Sequence, residues 1–317
     1  MRAVMLTRFG PPEVLVAGDA PDPAAGDGEV VIDVAFANIT FVETQLRASG
    51  FGPFKAEPPF IPGNGVGGTV AAVGAGVDAG RIGRRVVSST GGSGAYAARV
   101  AVPAAGLFDV PDGLALDDAV ALLADGRTAT MLVDAAGLRG GERVLVEAAA
   151  GGVGSLLVQL AAAAGERVVA GAGGERKLAL ARELGAAVAV DYREPGWTER
   201  VREAVGGVDV VFDGVGGETG RAAFGLLERG GKMLSFGLAS GEWAGVPEED
   251  AAARGVALVR PGPSPEQLRA FTEQALAAGA AGRLRPVIGQ RFPLDRAADA
   301  HAAIEARATV GKTLLEI

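Results

Sequence analysis

The stretch Arg143-Val144-Leu145-Val146-Glu147-Ala148-Ala149-Ala150-Gly151-Gly152-Val153-Gly154 decides the fold that this sequence predicts. It begins as an apolar, β-branched run, passes through a loop of small residues and leads into helix-forming residues. Its last six residues fit the pattern G-x-G-x-x-G, with Ala149 at the first glycine position. Gly151 lets the backbone approach a pyrophosphate, and Gly154 lets the helix pack closely on the strand. The loop is therefore predicted to bind a dinucleotide, the alternative being an ordinary glycine-rich turn.

The residues on either side of this loop follow two different patterns. Six strand-like runs alternate with helical stretches, at 143–148, 167–171, 187–190, 208–213, 232–236 and 256–259. This alternation is typical of βαβ units and predicts a doubly wound parallel sheet. Before residue 120, β-branched runs separated by turns predict an antiparallel, partly closed β domain, with strands at 14–17, 29–37, 67–73, 84–88 and 95–102. The tail from about Pro261, with its terminal strand at 313–317, could complete either domain.

The end of the second predicted strand indicates which dinucleotide is bound. Sites that prefer NAD place an acidic side chain about 20 residues after the glycine loop. Here the strand ends in Gly171-Ala172-Gly173-Gly174 instead. Arg176 and Lys177 follow, and Tyr192-Arg193 ends the third strand, so cations and a hydroxyl could converge on a 2′-phosphate. We therefore expect NADPH, the alternative being that Arg176 and Lys177 form a solvated helix face.

Composition excludes several other kinds of site. The 317 residues include no cysteine and a single histidine, His301, so cysteine-based zinc sites are excluded and no metal is expected. The net charge of −8 argues against nucleic acid as a partner. No apolar run approaches the roughly 20 residues of a membrane span, and the N-terminus lacks the features of a secretory signal. A cytoplasmic protein with no membrane partner is expected.

Motifs along the whole chain resemble the medium-chain dehydrogenase/reductase superfamily, and within it the zinc-free quinone oxidoreductases of the zeta-crystallin type. They are, in order, Glu43-Thr44-x-x-Arg47, Pro62-Gly63, Asp125-Gly126-Arg127-Thr128-Ala129, Ala148 to Gly154, Asp191-Tyr192-Arg193-Glu194, Phe212-Asp213-x-Val215-Gly216, Ser235 to Gly241 and Arg307-Ala308-Thr309. The resemblance implies an α/β protein with a GroES-like catalytic domain at 1–121 and 260–317. A Rossmann domain, the doubly wound parallel sheet, would be inserted at 122–259.

The resemblance also implies roles for individual residues in the cofactor site. The pyrophosphate would be held by Gly151, Gly152, Val153 and Gly154. The 2′-phosphate would be surrounded by Gly173, Lys177 and Tyr192. The nicotinamide would be bordered by Thr128, Val215, Phe236, Gly237 and Leu238, and Arg307 would be a further cofactor contact. Where zinc-using relatives carry Gly-His-Glu, this chain has Gly63-Asn64-Gly65.

The expected reaction is hydride transfer from NADPH to a quinone or an enone, acceptors that need no strong Lewis acid. The substrate-pocket candidates are Asn38, Thr40, Gln45 and Tyr96, and no residue is assigned a catalytic role. The pocket asparagine of many quinone reductases aligns with Thr40, and a common aromatic residue becomes Gln45, so the acceptor stays open. Tyr96 is alternatively an aromatic residue that packs in a strand. His301 is interpreted as a structural or surface residue of a tail helix.

Asp125 and Asp213 could be interpreted as a pair of acidic catalytic residues. Asp213 ends a strand beside the predicted cofactor site, whereas Asp125 precedes a predicted helix and is interpreted as its N-cap.

Two other functions remain open. An alkenal or enoyl-thioester reductase would share every cofactor residue, and a protein that binds NADPH without turnover would share them too. In each case a homodimer is expected through the strand at 256–259, because an uncovered edge strand is prone to pairing.

Overall fold

The structure is a computed structural model that describes residues 1–52, 54 and 57–317. The chain divides into two compact units, the first made of Met1–Ala124 with Thr272–Ile317 and the second of Asp125–Phe271. None of the helices in the described residues combines the length and the apolar character needed to cross a membrane.

Strands dominate the first unit, and strands alternate with helices in the second. The elements are β1 (Arg2–Leu6), β2 (Leu15–Asp19), β3 (Glu29–Ile39), α1 (Phe41–Ser49), β4 (Gly65–Val73), β5 (Arg85–Ser89), β6 (Arg99–Pro103), β7 (Leu107–Asp109), α2 (Leu116–Ala136), β8 (Arg143–Val146), α3 (Gly152–Ala163), β9 (Arg167–Ala172), α4 (Glu175–Glu183), β10 (Val188–Asp191), α5 (Trp197–Val205), β11 (Val208–Asp213), α6 (Gly217–Phe224), β12 (Leu227–Ser235), α7 (Glu248–Arg254), β13 (Ala257–Leu258), α8 (Pro265–Ala280), β14 (Ile288–Pro293), α9 (Ala297–Glu305) and β15 (Lys312–Glu316).

The second unit is built on a six-stranded sheet with the order β10-β9-β8-β11-β12-β13. Every neighbouring pair in it is parallel. The predicted doubly wound sheet is therefore confirmed. The strand order reverses between β8 and β11, because β9 and β10 lie on one side and β12 and β13 on the other. Sheets of this class bind ligands at such a reversal, outside the carboxyl ends of the strands.

Two strands of this sheet differ in extent from the prediction. β12 begins at Leu227, well before the expected start at residue 232, because Leu227 already pairs with Val208 ahead of a shift in register. β13 is shorter than the expected 256–259, because only Ala257 and Leu258 pair with β12.

The first unit is built on a mainly antiparallel sheet with the order β14-β15-β3-β4-β5-β7, and β6 also pairs with β3. The long strand β3 is its centre, where Asn38 lies opposite Gly65 of β4 and Leu314 of β15. Because β15 pairs with β3, the C-terminal tail completes the N-terminal unit. Side chains from β3, β4 and α9, among others, share its apolar core.

The segment around Tyr96 is not the strand that the sequence predicts. The Tyr96 N–H donates to the Pro62 carbonyl oxygen at 3.0 Å, and its own carbonyl oxygen accepts from the Val4 N–H at 2.9 Å. These bonds run to a loop and to β1, so the regular ladder of β6 begins only at Arg99. The short strand β7 was not predicted.

The interpretation of Asp125 as a helix N-cap is wrong. α2 begins at Leu116 and carries Asp117 and Asp118 in its first turn, where acidic side chains favour a helix N-terminus. Asp125 lies in the middle of the helix and is 7% exposed. The helix starts nine residues before Asp125, because burial of the apolar residues 119–123 stabilises its first turns.

Candidate functional site

The glycine-rich loop after β8 makes a tight turn into α3. The Gly151 N–H donates to the Ala148 carbonyl oxygen at 2.8 Å, and Ala148 has a φ of 47°. A Cβ at Gly154 would lie 2.2 Å from the same carbonyl oxygen, so only glycine allows α3 to approach this closely. The N-cap residue, Gly151, has no side chain that could cap the helix. The first N–H groups of α3, including those of Gly152 and Val153, are therefore arranged to bind an anion.

An ion pair lies at the carboxyl ends of β9 and β10. The Arg193 guanidinium lies 2.7 Å from Oδ2 of Asp191, which also accepts the Gly174 N–H at 2.8 Å. The hydrogen bonds from Arg193 and the backbone hold the pKa of Asp191 well below its usual range. The Arg193 side chain is 60% exposed and passes within 2.9 Å of where a Cβ at Gly173 would lie. A cation therefore stands beside the loop that is predicted to face the 2′-phosphate.

Lys177 and Tyr192 lie at the same sheet edge and are both partly buried. The Lys177 N–H donates to the Gly174 carbonyl oxygen at 3.0 Å, in the first turn of α4. Tyr192 follows β10 directly, with its ring beside Gly171. A depression of about 390 Å³ at this end of the sheet is lined by residues that include Gly174, Asp191, Arg193 and Arg200. Gly173, Lys177 and Tyr192 thus all lie at the carboxyl ends of β9 and β10, together with Asp191, which the sequence analysis named only within the motif Asp191-Tyr192-Arg193-Glu194.

Of the residues predicted to border the nicotinamide, all but Thr128 lie in the loops at the carboxyl ends of β11 and β12. The N–H groups of Phe236 and Gly237 both donate to the Asp213 carbonyl oxygen, at 2.9 and 3.3 Å. Val215, in the loop after β11, is 4% exposed. Two further residues of this prediction are partly buried, Leu238 in the loop after β12 and Thr128 on α2.

Two acidic side chains are buried beneath these loops. Glu147 directly follows β8 and is 1% exposed, and Asp213 ends β11 with no exposed surface. Both accept the Val215 N–H, Glu147 at 3.2 Å and Asp213 at 3.1 Å. Burial, together with the neighbouring Asp213 carboxylate, raises the pKa of Glu147 well above its ordinary value. The sequence analysis singled out Asp213 but missed Glu147. An acidic residue directly after the apolar run 144–146 was the feature that could have identified it.

In the first unit, a buried acid holds the start of α1. Thr40 is the N-cap, and its N–H and hydroxyl donate to Oε2 of Glu43 at 2.6 and 2.7 Å. The Asn64 N–H donates to the other carboxylate oxygen at 3.0 Å. Glu43 is 3% exposed, and this burial raises its pKa. The orientation of the substrate-pocket candidate Thr40 is therefore fixed by Glu43, to which the sequence assigned no role.

Two other substrate-pocket candidates flank this cap. Asn38, on β3, is 1% exposed, and its Nδ2 donates to the Val120 carbonyl oxygen at 3.3 Å. Its Oδ1 accepts from no residue that the structure describes. Gln45 lies one turn into α1 and is partly buried. Asn38 thus offers a buried acceptor, whereas Thr40 and Gln45 offer partly exposed groups.

Tyr96 and His301 form a buried pair. The Tyr96 hydroxyl lies 2.9 Å from Nε2 of His301, and the rings meet edge to face. Burial raises the pKa of Tyr96 well above its ordinary value and lowers the pKa of His301 to about 3. Because Tyr96 has no exposed surface, its placement favours a packing role over a place in the substrate pocket. His301 is likewise internal and not a surface residue.

Arg307 is presented by the end of α9. It is exposed and has a φ of 54°. The helix that precedes it is tied to the N-terminal part of the unit by Arg47, which is 2% exposed and donates to Glu305 and to the Gly10 carbonyl oxygen. The position of Arg307 therefore depends on this buried guanidinium.

Comparisons with known proteins agree over the whole chain. The family model described as an alcohol dehydrogenase GroES-like domain matches residues 26–112, and that described as a zinc-binding dehydrogenase matches residues 184–315. A probable quinone oxidoreductase of Schizosaccharomyces pombe is 36% identical, with 98% of this chain and 96% of that protein covered. In the part of this chain that the structure describes, no group of three or more His, Cys, Asp or Glu side chains is placed to hold a metal ion.

Two solved structures are similar over their full length. A mycobacterial protein in complex with NADPH has a TM-score of 0.91 and 36% identity, with 100% of both chains covered. The Escherichia coli quinone oxidoreductase in complex with NADPH has a TM-score of 0.92 and 30% identity, again with 100% of both chains covered.

The buried His301 predicts how stability depends on pH. Its pKa is about 3 in the folded chain and 6.5 ordinarily, so as the pH falls the unfolded chain binds a proton first and the folded state loses stability from about pH 6.5 down to about pH 3. His301→Gln removes this titration. In urea denaturation, its free energy of unfolding should fall less steeply over that range than that of the wild type, by up to about 1.4 kcal/mol per pH unit. Ala302→Gln, exposed on the same helix, should keep the wild-type slope; an unchanged slope in His301→Gln would contradict a buried, neutral histidine.

Proposed function

This chain belongs to the medium-chain dehydrogenase/reductase superfamily and, within it, to the quinone oxidoreductases, and on that premise we propose that it transfers a hydride from NADPH to a quinone. The observation that carries the proposal is the glycine-rich loop at the reversal of strand order, with the uncapped N-terminus of α3 directly after it. The relatives solved with NADPH support the choice of cofactor.

The groups proposed to contact the cofactor belong to the loops at the carboxyl ends of the parallel strands, to α4 and to the segment after α9. NADPH supplies the hydride when it is bound. The loop Gly151–Gly154 would take the pyrophosphate, and Lys177, Tyr192 and Arg193 would take the 2′-phosphate. β9 itself ends in Ala172 and not in a carboxylate, and the Asp191 carboxylate of the neighbouring strand is paired with Arg193. The loops after β11 and β12 would border the nicotinamide, and Arg307 is proposed as a further contact.

The proposed acceptor contacts are Asn38, Thr40 and Gln45. Hydride delivery to a quinone or enone leaves negative charge on an oxygen, which a fixed hydroxyl or amide donor stabilises. The Gln45 amide is partly exposed and is suited to this role, whereas the Thr40 hydroxyl already donates its one proton to Glu43 and offers the acceptor only lone pairs. A reaction without zinc is proposed from the sequence, which has no cysteine and whose one histidine is bonded to Tyr96.

A homodimer is proposed through the β13 edge of the parallel sheet. A depression of about 350 Å³ beside β13 is lined by residues that include Trp243, Val246, Leu258 and Arg260. Trp243 is 47% exposed, and a large exposed apolar side chain beside a strand edge favours association. A cytoplasmic location also stays a prediction from the sequence.

The function is tested by following the absorbance of NADPH or NADH with a benzoquinone, a naphthoquinone, an alkenal or an enoyl thioester. We expect oxidation of NADPH that depends on the quinones, because these acceptors need no Lewis acid. Oxidation with the alkenal or the thioester alone would assign the protein to the enone reductases. Tight NADPH binding with no oxidation by any acceptor would indicate a non-catalytic binder.

The choice of NADPH is tested with Lys177→Ala. Removing a cation from the 2′-phosphate should raise the Kd for NADPH about tenfold or more and leave the Kd for NADH almost unchanged, since a charge-assisted bond contributes about 1.5–3 kcal/mol. Both constants are measured by nucleotide fluorescence. Arg182→Ala, which removes an exposed cation paired with Glu175 on the same helix, is the control and should bind both nucleotides as the wild type does. Equal weakening of NADPH and NADH by Lys177→Ala would refute the assignment.

The dimer is tested by light scattering during gel filtration at micromolar protein concentration. The wild type should elute with the mass of two chains, and Trp243→Glu should shift it towards the monomer because it places a charge in the apolar contact. Ile82→Glu changes another exposed apolar residue, 52% exposed in the first unit, and should leave the mass unaltered. A monomeric wild type would end the proposal.

A further inference from the structure

Glu147 and Asp213 occupy a particular place in the parallel sheet. Glu147 follows β8 and Asp213 ends β11, the two neighbouring strands between which the strand order reverses. The Glu147 N–H donates to the Phe212 carbonyl oxygen at 3.0 Å, which continues the β8–β11 pairing to this point. Both carboxyl groups therefore lie directly below the loops that the proposed function places against the cofactor.

Asp213 accepts more hydrogen bonds than Glu147 does. Asp213 accepts from the N–H groups of Val215 and Gly216, at 3.1 and 2.7 Å, and from the Ser235 hydroxyl at 2.7 Å. Among the described residues, Glu147 accepts only from the Val215 N–H, at 3.2 Å, which Asp213 also accepts. Its Oε1 is buried and has no partner among the described residues. An ionised Glu147 would thus be a nearly unsolvated charge beside a second carboxylate.

Among the described residues, no cationic side chain is hydrogen-bonded or ion-paired to either carboxyl group. α3 carries no titratable residue, and the Lys232 ammonium of β12 donates to the Ala136 carbonyl oxygen. On α6, Glu218 is exposed, and Arg221 is paired with Glu242. β8 and β11 have an ion pair of their own, but Arg143 and Asp209 stand at the opposite ends of these strands. Two ionised carboxylates without a counter-ion are strongly unfavourable in the protein interior.

We propose that Glu147 and Asp213 share one proton and together hold the turn at Gly214–Gly216, which makes Glu147 a positioning residue for the nicotinamide end of the cofactor. The shared proton turns the unpartnered Glu147 carboxyl into a donor to Asp213, and the single remaining negative charge accepts the Val215 and Gly216 N–H groups and the Ser235 hydroxyl. The positioning role rests on the proposed function, whereas the shared proton does not.

The shared proton has a definite consequence for pH dependence. Because the pKa of Glu147 is raised on folding, the folded chain retains a proton that the unfolded chain releases above its ordinary pKa of 4.5. Stability contributed by this group is complete below that pH and is lost as the pH rises through the folded pKa. Loss of the proton places two adjacent negative charges under the turn, which should loosen it and weaken cofactor binding at alkaline pH.

Glu147→Gln tests the proposal, because glutamine keeps the shape and can donate to Asp213 but does not titrate. Without nucleotide, its Tm should match the wild type near pH 5 and exceed it by roughly 2–4 °C near pH 9. The Kd of the wild type for NADPH should rise about tenfold between about pH 5 and pH 9.5, and that of Glu147→Gln should stay nearly constant. Glu166→Gln is the matched control, since Glu166 is a buried carboxylate that accepts two backbone N–H groups and has no acidic neighbour bonded to it. It should lower the Tm at both pH values.

Each measurement separates one part of the proposal from the rest. Equal Tm–pH profiles for the wild type and Glu147→Gln would refute the shared proton. A Tm difference of the expected sign, with NADPH affinity equally dependent on pH in both proteins, would refute the positioning role. Infrared titration of the wild type, which needs no variant to fold, should show a protonated carboxyl C=O band that disappears at alkaline pH; its absence near neutral pH would also refute the shared proton. Failure to reduce quinones would count against the proposed function and leave these results unaffected.

Discussion

The arrangement of the second unit depends on how closely the N-terminus of α3 approaches the end of β8. The Ala148 carbonyl oxygen accepts the Gly151 N–H, and it would collide with any side chain at Gly154. This contact sets the distance between helix and sheet, and it aims the uncapped N–H groups of α3 at the crevice where the strand order reverses. The anion site is thus a result of backbone packing, with no cationic side chain required at its centre.

The charged side chains at the two ends of this crevice differ in sign and in burial. At the β9–β10 end, the exposed Arg193 guanidinium is paired with the Asp191 carboxylate, so a cation stands at the surface of the loop that follows β9. At the β11–β12 end, the acids Glu147 and Asp213 are buried and the surrounding donors are mostly backbone N–H groups. One end therefore presents an exposed ion pair, whereas the other presents a turn that is fixed by buried hydrogen bonds.

The sequence predicted those features that depend on local pattern. The six parallel strands followed from the spacing of apolar runs, and the loop at Gly151 followed from its glycines. The prediction failed where tertiary contacts overrode the local signal. Asp125 resembles an N-cap, yet the buried run before it extends α2. Tyr96 stands in a β-branched run, yet its backbone bonds reach Pro62 and Val4. Glu147 was missed because its importance depends on Asp213, a residue that only the β8–β11 pairing brings near.

The two buried glutamates show why burial alone does not define a role. Glu43 receives three donors, two from Thr40 and one from Asn64, so its surroundings oppose the effect of burial on its pKa and solvate a negative charge. Glu147 receives one shared donor and faces a second carboxylate, so its surroundings favour the neutral form. Glu43 therefore serves as an acceptor that orients its donors, whereas the surroundings of Glu147 favour retention of a proton. A neutral isostere at position 43 loses acceptor capacity that those donors need, whereas at position 147 it removes a repulsion.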